Sequence, residues 1–147
     1  MRKSGERGFS LIELMITMVV VGVIMAIAIP NLLNAINRGK QKRTMADMRS
    51  IATAIEAYSV DNTAFPVAAS PGALATSIVP YYIDSLPARD GWGRAFSIDS
   101  VALEYTVWSG GSDGGSLSFV GGPTTDFTDS IVFANGAFAQ WPEGSQN

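Results

Sequence analysis

Phe9-Ser-Leu-Ile-Glu-Leu-Met-Ile-Thr-Met-Val-Val-Val-Gly-Val-Ile-Met-Ala-Ile-Ala-Ile-Pro30 is the stretch whose reading decides the fold. From Leu14 to Ile29 it carries no charge and one hydroxyl. As a helix it is apolar on every side and must be buried in lipid or in other protein. Glu13, near its start, breaks the pattern. An unpaired carboxylate in hydrocarbon is unfavourable by several multiples of the thermal energy, so a specific partner is expected for it; the competing reading is that the side chain reaches back to the headgroups.

Working outward, the formal net charge of −3 hides an asymmetry. From Ser50 onward two basic residues, Arg89 and Arg94, face ten acidic ones, a balance of −8; before Ser50 the balance is eight against three, or +5. A basic stem and an acidic head argue against a nucleic-acid partner, since no basic patch accompanies the globular part. At 147 residues the chain is one small domain plus an apolar stem. It has no cysteine and no histidine. Disulfides, thiolate nucleophiles, Ser-His pairs and ordinary zinc sites are therefore absent, and paired carboxylates for acid–base chemistry are not recognisable, so the chain does not read as an enzyme.

Met1 to Gly8 is short, basic and glycine-containing, and no small-x-small cleavage site follows the apolar run. The run is therefore expected to be retained rather than removed with an export signal. Gly8-Phe9-Ser10-Leu11-Ile12-Glu13-Leu14 resembles the prepilin signature of type IV pilins and type II secretion pseudopilins. The resemblance implies that a prepilin peptidase cuts after Gly8, that the new Phe9 amine is methylated, and that Glu13 pairs with that amine on a neighbouring subunit. A free amine at Phe9 would be mostly cationic at neutral pH, and methylation would leave the charge in place. Phe9 and Glu13, four apart, share one helical face. The alternative is a plain N-terminal membrane anchor.

The chain is accordingly divided into a leader over 1–8, an apolar helix over 9–30, an amphipathic continuation over 31–60 and a globular head over 61–147. Gly22 and Pro30 predict a kink or local melting between them. Beyond Asn31, Met45, Met48, Ile51, Ala52, Ile55 and Tyr58 recur at spacings of three and four and form one apolar face. A helix from Phe9 to about Tyr58 would be roughly 75 Å long. The basic cluster from Arg38 to Arg43 reads as a solvated or acid-facing stripe.

Prolines make Asp61 to Asp90 mostly loop, with a short helix expected near Ala73 to Val79. Pro87-Ala-Arg-Asp90-Gly91-Trp92-Gly93 resembles the Pro-x-x-Asp-x-Trp-Gly passage of the major pseudopilin, the G-type subunit of type II secretion, and Trp92 is read as a core anchor. Phe96 and Ile98 alternate with polar or small residues, as do Leu103, Tyr105 and Val107, predicting a hairpin that turns at Asp99-Ser100. Asn135-Gly136 predicts a second hairpin through a type I′ turn, with Phe133 facing Phe138 and Ile131 facing Gln140. The fold class expected is α+β: a long N-terminal helix packed against a small antiparallel sheet.

Between the hairpins, Ser109 to Asp129 holds six glycines and three aspartates. It matches neither a phosphate-binding fingerprint nor an EF-hand. Its Ser-x-Gly-x-Asp-Gly order resembles the major pseudopilin loop that binds calcium. That resemblance implies one Ca²⁺ with Asp113 and Asp126 as carboxylate ligands, Asp129 competing for the second place, and Ser109 or backbone carbonyls completing the shell. From chemistry alone, aspartates in such a loop form Asx-turns more often than metal sites.

Taken together, the resemblance implies a structural subunit of a type II secretion pseudopilus. It would be held in the bacterial inner membrane with its N-terminus cytoplasmic, then carried into a periplasmic or extracellular filament. Its partners would be copies of itself, the prepilin peptidase, the assembly machinery and minor pilins or pseudopilins. Two alternatives stand beside this: a major type IV pilin for adhesion or motility, which the lack of cysteine disfavours, and a membrane-anchored periplasmic binding domain that does not polymerise.

Overall fold

The computed structural model describes residues 8–144, so the leader expected over Met1 to Gly8 lies outside them except for Gly8. The chain divides into two units, one reaching Ala35 and one starting at Ile36. A single helix, α1 (Leu11–Asn62), runs through both.

In the first unit the helix begins with a reciprocal cap. Glu13 and Leu14 donate their amides to the Ser10 carbonyl (3.1 and 3.3 Å), and the Glu13 carboxylate accepts the Ser10 amide at 3.0 Å. This is the backward half of a capping box, read in sequence as Ser10-x-x-Glu13. An acidic group in the first turn also suits the helix dipole. Of the kink or local melting expected between Gly22 and Pro30, melting is not observed, since helix is continuous through both. Pro30 has no amide to give the Ala26 carbonyl. The adjacent Ile27 carbonyl accepts the Asn31 side-chain amide at 3.0 Å. The most apolar window of α1 has a mean hydropathy of 2.7 and none of it is buried within the chain, and the helix is long and apolar enough to cross a membrane.

The second unit holds the core. From α1 it takes Met48, Ile51, Ala52 and Ile55, the face that the three-and-four spacing predicts. Met45 and Tyr58 lie at its margin. Leu74 and Ile78 come from α2 (Pro71–Ile78), whose cap Ser70 accepts the Ala73 amide at 3.3 Å. The sheet contributes Phe96, Ile98, Tyr105, Val107, Ile131 and Phe133. Full burial of each such aliphatic or aromatic side chain stabilises the fold by about 1.5–3 kcal/mol.

Five strands form that sheet: β1 (Ser97–Val101), β2 (Glu104–Ser109), β3 (Gly122–Thr124), β4 (Ile131–Ala134) and β5 (Ala137–Pro142), in the spatial order β1-β2-β4-β5-β3. The sheet is mixed, not purely antiparallel: β3, inside the stretch expected to be loop, pairs parallel to β5. The first hairpin turns at Ala102-Leu103 rather than Asp99-Ser100. Ser100 stays in the strand because it exchanges two backbone bonds with Ala68 and donates its hydroxyl to the Pro66 carbonyl. The second hairpin turns at Asn135-Gly136 as expected, with φ of 46° and 91°. Phe133 faces Phe138, but Gln140 faces Val132 rather than Ile131, because a bulge inserts Ala139 into β5.

Candidate functional site

Two places bear on function, one in each unit. At the start of α1, Phe9 is 79% exposed and, among the described residues, nothing lies near the position a side chain on Gly8 would take. One turn on, the Glu13 carboxylate is held at the helix N-terminus by the Ser10 amide. Geometry therefore keeps the acid next to the residue whose amine cleavage would liberate. The capping role of Glu13 goes beyond the pairing expected from the resemblance, and the Ser10-x-x-Glu13 spacing is its signal in the sequence.

In the head, the loop from Ser109 to Asp129 is ordered by its own bonds. Ser109 is fully buried and its hydroxyl donates to Asp90 Oδ2 at 2.6 Å, facing away from the candidate aspartates toward the Trp92 passage. Asp113 is exposed and accepts the Gly115 amide at 3.1 Å, an Asx-turn. Asp126 and Asp129 do come together: Asp129 Oδ2 accepts the Asp126 amide at 3.2 Å, while Asp126 Oδ1 accepts the Thr128 amide at 3.0 Å. The Thr128 amide holds the Asp126 carboxyl below the usual carboxylate range. Among the described residues no three carboxylates gather as a metal-binding group. Of the four residues expected around a calcium ion, Asp126 and Asp129 are brought together, while Ser109 and Asp113 bond elsewhere; calcium prefers six to eight oxygens around one point.

Three residues that sequence reasoning passes over organise this region. Asp90, buried, accepts the amides of Trp92 (3.0 Å) and Arg94 (2.9 Å) as well as the Ser109 hydroxyl, and so ties the Trp-Gly passage to the end of β2. Its place in Asp90-Gly91-Trp92-Gly93 was a usable signal. Arg94 donates Nη2 to the Ser112 carbonyl at 2.8 Å and lays its guanidinium against Gly114, where a Cβ would collide with it. Gln140 is buried among loop backbone groups, and nothing in Ala139-Gln140-Trp141 announces it, because the bulge that turns it inward leaves no mark in residue type. Trp92 itself is a half-buried anchor at the edge of the core, its indole donating to Asn37 at 3.3 Å.

Comparison with known proteins agrees with these features. Residues 3–29 match the prokaryotic N-terminal methylation motif, and residues 31–119 match type II secretion system protein G. Among similar proteins, the type II secretion system core protein G of Dickeya chrysanthemi is 28% identical over 97% of both chains. Those of Klebsiella michiganensis and Vibrio cholerae are each 28% identical over 78% of this chain, covering 89% and 87% of their own lengths. The exposed apolar helix headed by Glu13, the Asp90-anchored Trp-Gly passage and a match spanning most of the chain lead to one assignment: this chain belongs to the type II secretion system protein G family, the major pseudopilins.

Proposed function

We propose that the chain is a structural, non-catalytic subunit that polymerises through its N-terminal helix into a type II secretion pseudopilus, driving protein export across the outer membrane. The observation that carries this is the helix from Leu11 onward, whose apolar residues find no cover in their own chain. In a bilayer lipid covers them, and helix association there gains little from the hydrophobic effect. Once extracted into water each helix must be covered by others, so leaving the membrane and entering a bundle are one event. Before assembly the subunit spans the inner membrane with its N-terminus cytoplasmic, and afterwards its head stands in the periplasm.

On this reading the prepilin peptidase cleaves between Gly8 and Phe9 and the Phe9 amine is methylated. Glu13 then pairs with the amine of the next subunit, fixing its register as the assembly machinery and minor pseudopilins extend the filament. Intact-mass measurement on protein extracted from native membranes tests the processing. The expected mass is that of a chain starting at Phe9 with one added methyl group. A mature chain that keeps Met1 to Gly8, or one that lacks the apolar run, overturns the proposal.

A further inference from the structure

A divalent cation orders a loop by drawing oxygen acceptors around one positive centre. In this head the acceptors converge on a side-chain amide instead. Gln140, 1% exposed, donates Nε2 to the carbonyls of Ser118 (3.0 Å) and Ser130 (2.6 Å). Its Oε1 accepts the amides of Val120 (2.8 Å) and Gly121 (3.1 Å). The Ser130 hydroxyl accepts the Ser118 amide at 3.1 Å and closes the ring. All four hydrogen-bonding positions of one buried primary amide are thus matched by backbone groups of the loop. The bulge at Ala139 is what aims Gln140 there.

At the other end of the loop a fixed positive charge is already present. The Arg94 guanidinium bonds the Ser112 carbonyl and packs against Gly114, while the Ser112 amide donates to the Phe127 carbonyl at 2.8 Å, joining the two halves of the loop. Each residue expected as a ligand has an oxygen in a bond of the head's own: the Ser109 hydroxyl with Asp90, one Asp113 oxygen with the Gly115 amide, and one oxygen each of Asp126 and Asp129 with amides of their own turn.

We propose that Gln140 and Arg94 hold the loop from Ser109 to Ser130 in place of a divalent cation, so that this head folds and stays folded without metal. The inference concerns the head alone and does not depend on filament assembly. Thermal unfolding of the full chain in detergent micelles tests it, in calcium at millimolar excess and in chelator, together with metal analysis of the dialysed protein. The midpoint is expected to be the same in both conditions and calcium to be absent after dialysis. Gln140→Leu should lower the midpoint by roughly 5–10 °C, with no recovery on adding calcium. Arg94→Met, a change at an exposed side chain, should speed hydrogen exchange at the Ser112 and Gly114 amides while leaving the core amides protected. If Gln140→Leu does not accumulate, the response of the unmutated chain and the exchange in Arg94→Met decide. A midpoint that rises with calcium in the unmutated chain, stoichiometric calcium retained through dialysis, or parental loop exchange in Arg94→Met overturns the proposal.

Discussion

Glu13 combines two roles that substitution can separate. Its carboxylate closes the first turn by accepting the Ser10 amide, and its charge is available to a neighbour's amine. Glu13→Gln keeps an acceptor for Ser10 and removes the charge, whereas Glu13→Ala removes both. Loss of the capping contact destabilises the helix start by about 0.3–1 kcal/mol, too little to dislodge an apolar segment from lipid. Both variants should therefore insert normally, and both should fail to form filaments, as counted by shearing and imaging at equal membrane abundance. Filaments from Glu13→Gln at the parental yield would assign the residue to capping alone. A second residue-scale prediction concerns Tyr105, whose buried hydroxyl donates to Glu56 Oε1 at 2.6 Å and accepts the Gly136 amide at 3.0 Å. Burial, then the bond to Glu56, pushes this phenol well above its usual 10.0. The unfolded chain releases the proton near the ordinary value while the folded chain keeps it. Stability is thus fully present below about pH 10 and declines as pH rises further. Tyr105→Phe should cost about 1 kcal/mol at neutral pH and flatten part of the alkaline decline, read from urea unfolding at a series of pH values.

Among the elements, the Trp-Gly passage is bound directly to α1. The Gly91 amide donates to Thr44 Oγ1 at 2.9 Å, Thr44 in turn donates to the Lys40 carbonyl at 2.9 Å, and a Cβ on Gly91 would run into the Lys40 backbone. Neither backbone can yield without breaking these bonds. Gly91→Ala should therefore destabilise the head by more than about 2 kcal/mol, seen as a lowered thermal midpoint. Gly39→Ala, with open space around it on the same helix, should leave the midpoint unchanged or raised. The same elements define what a reader of the sequence could know. The face of Met48, Ile51 and Ile55, the turn at Asn135-Gly136 and the short helix near Ala73 were legible because spacing, paired positive φ and a Ser-Pro start are local properties. The turn at Ala102-Leu103 was not, since neither residue favours turns and Asp99-Ser100 does. What keeps Ser100 extended is a partner at Ala68, distant in sequence. The strand at Gly122 was hidden for a similar reason, its parallel pairing being made by the far end of the chain.

At the scale of the molecule, the hydrophobic core among the described residues draws its members from the unit that begins at Ile36. A chain starting at Ile36 should accordingly be soluble and monomeric, with a thermal midpoint within a few degrees of the full chain in detergent. A molten or aggregated product would mean that the head needs the apolar helix to fold. The apolar stem was legible from hydropathy, and the family from the residues around Gly8 and Glu13 together with the Trp-Gly passage, whereas the bonds that Gln140 makes to the glycine-rich loop leave no mark in residue type. The ends of the sheet carry one more consequence. The outer side of β1 is already engaged by Ala68, and β3 is three residues long with Pro123, which has no amide hydrogen to offer, at its centre. A subunit stored and stacked at high density among its own copies is exposed to amyloid-like zippering wherever a strand edge is left open. With β1 partnered at Ser100 and β3 short and interrupted by Pro123, neither edge offers a long backbone ladder for a second head to extend.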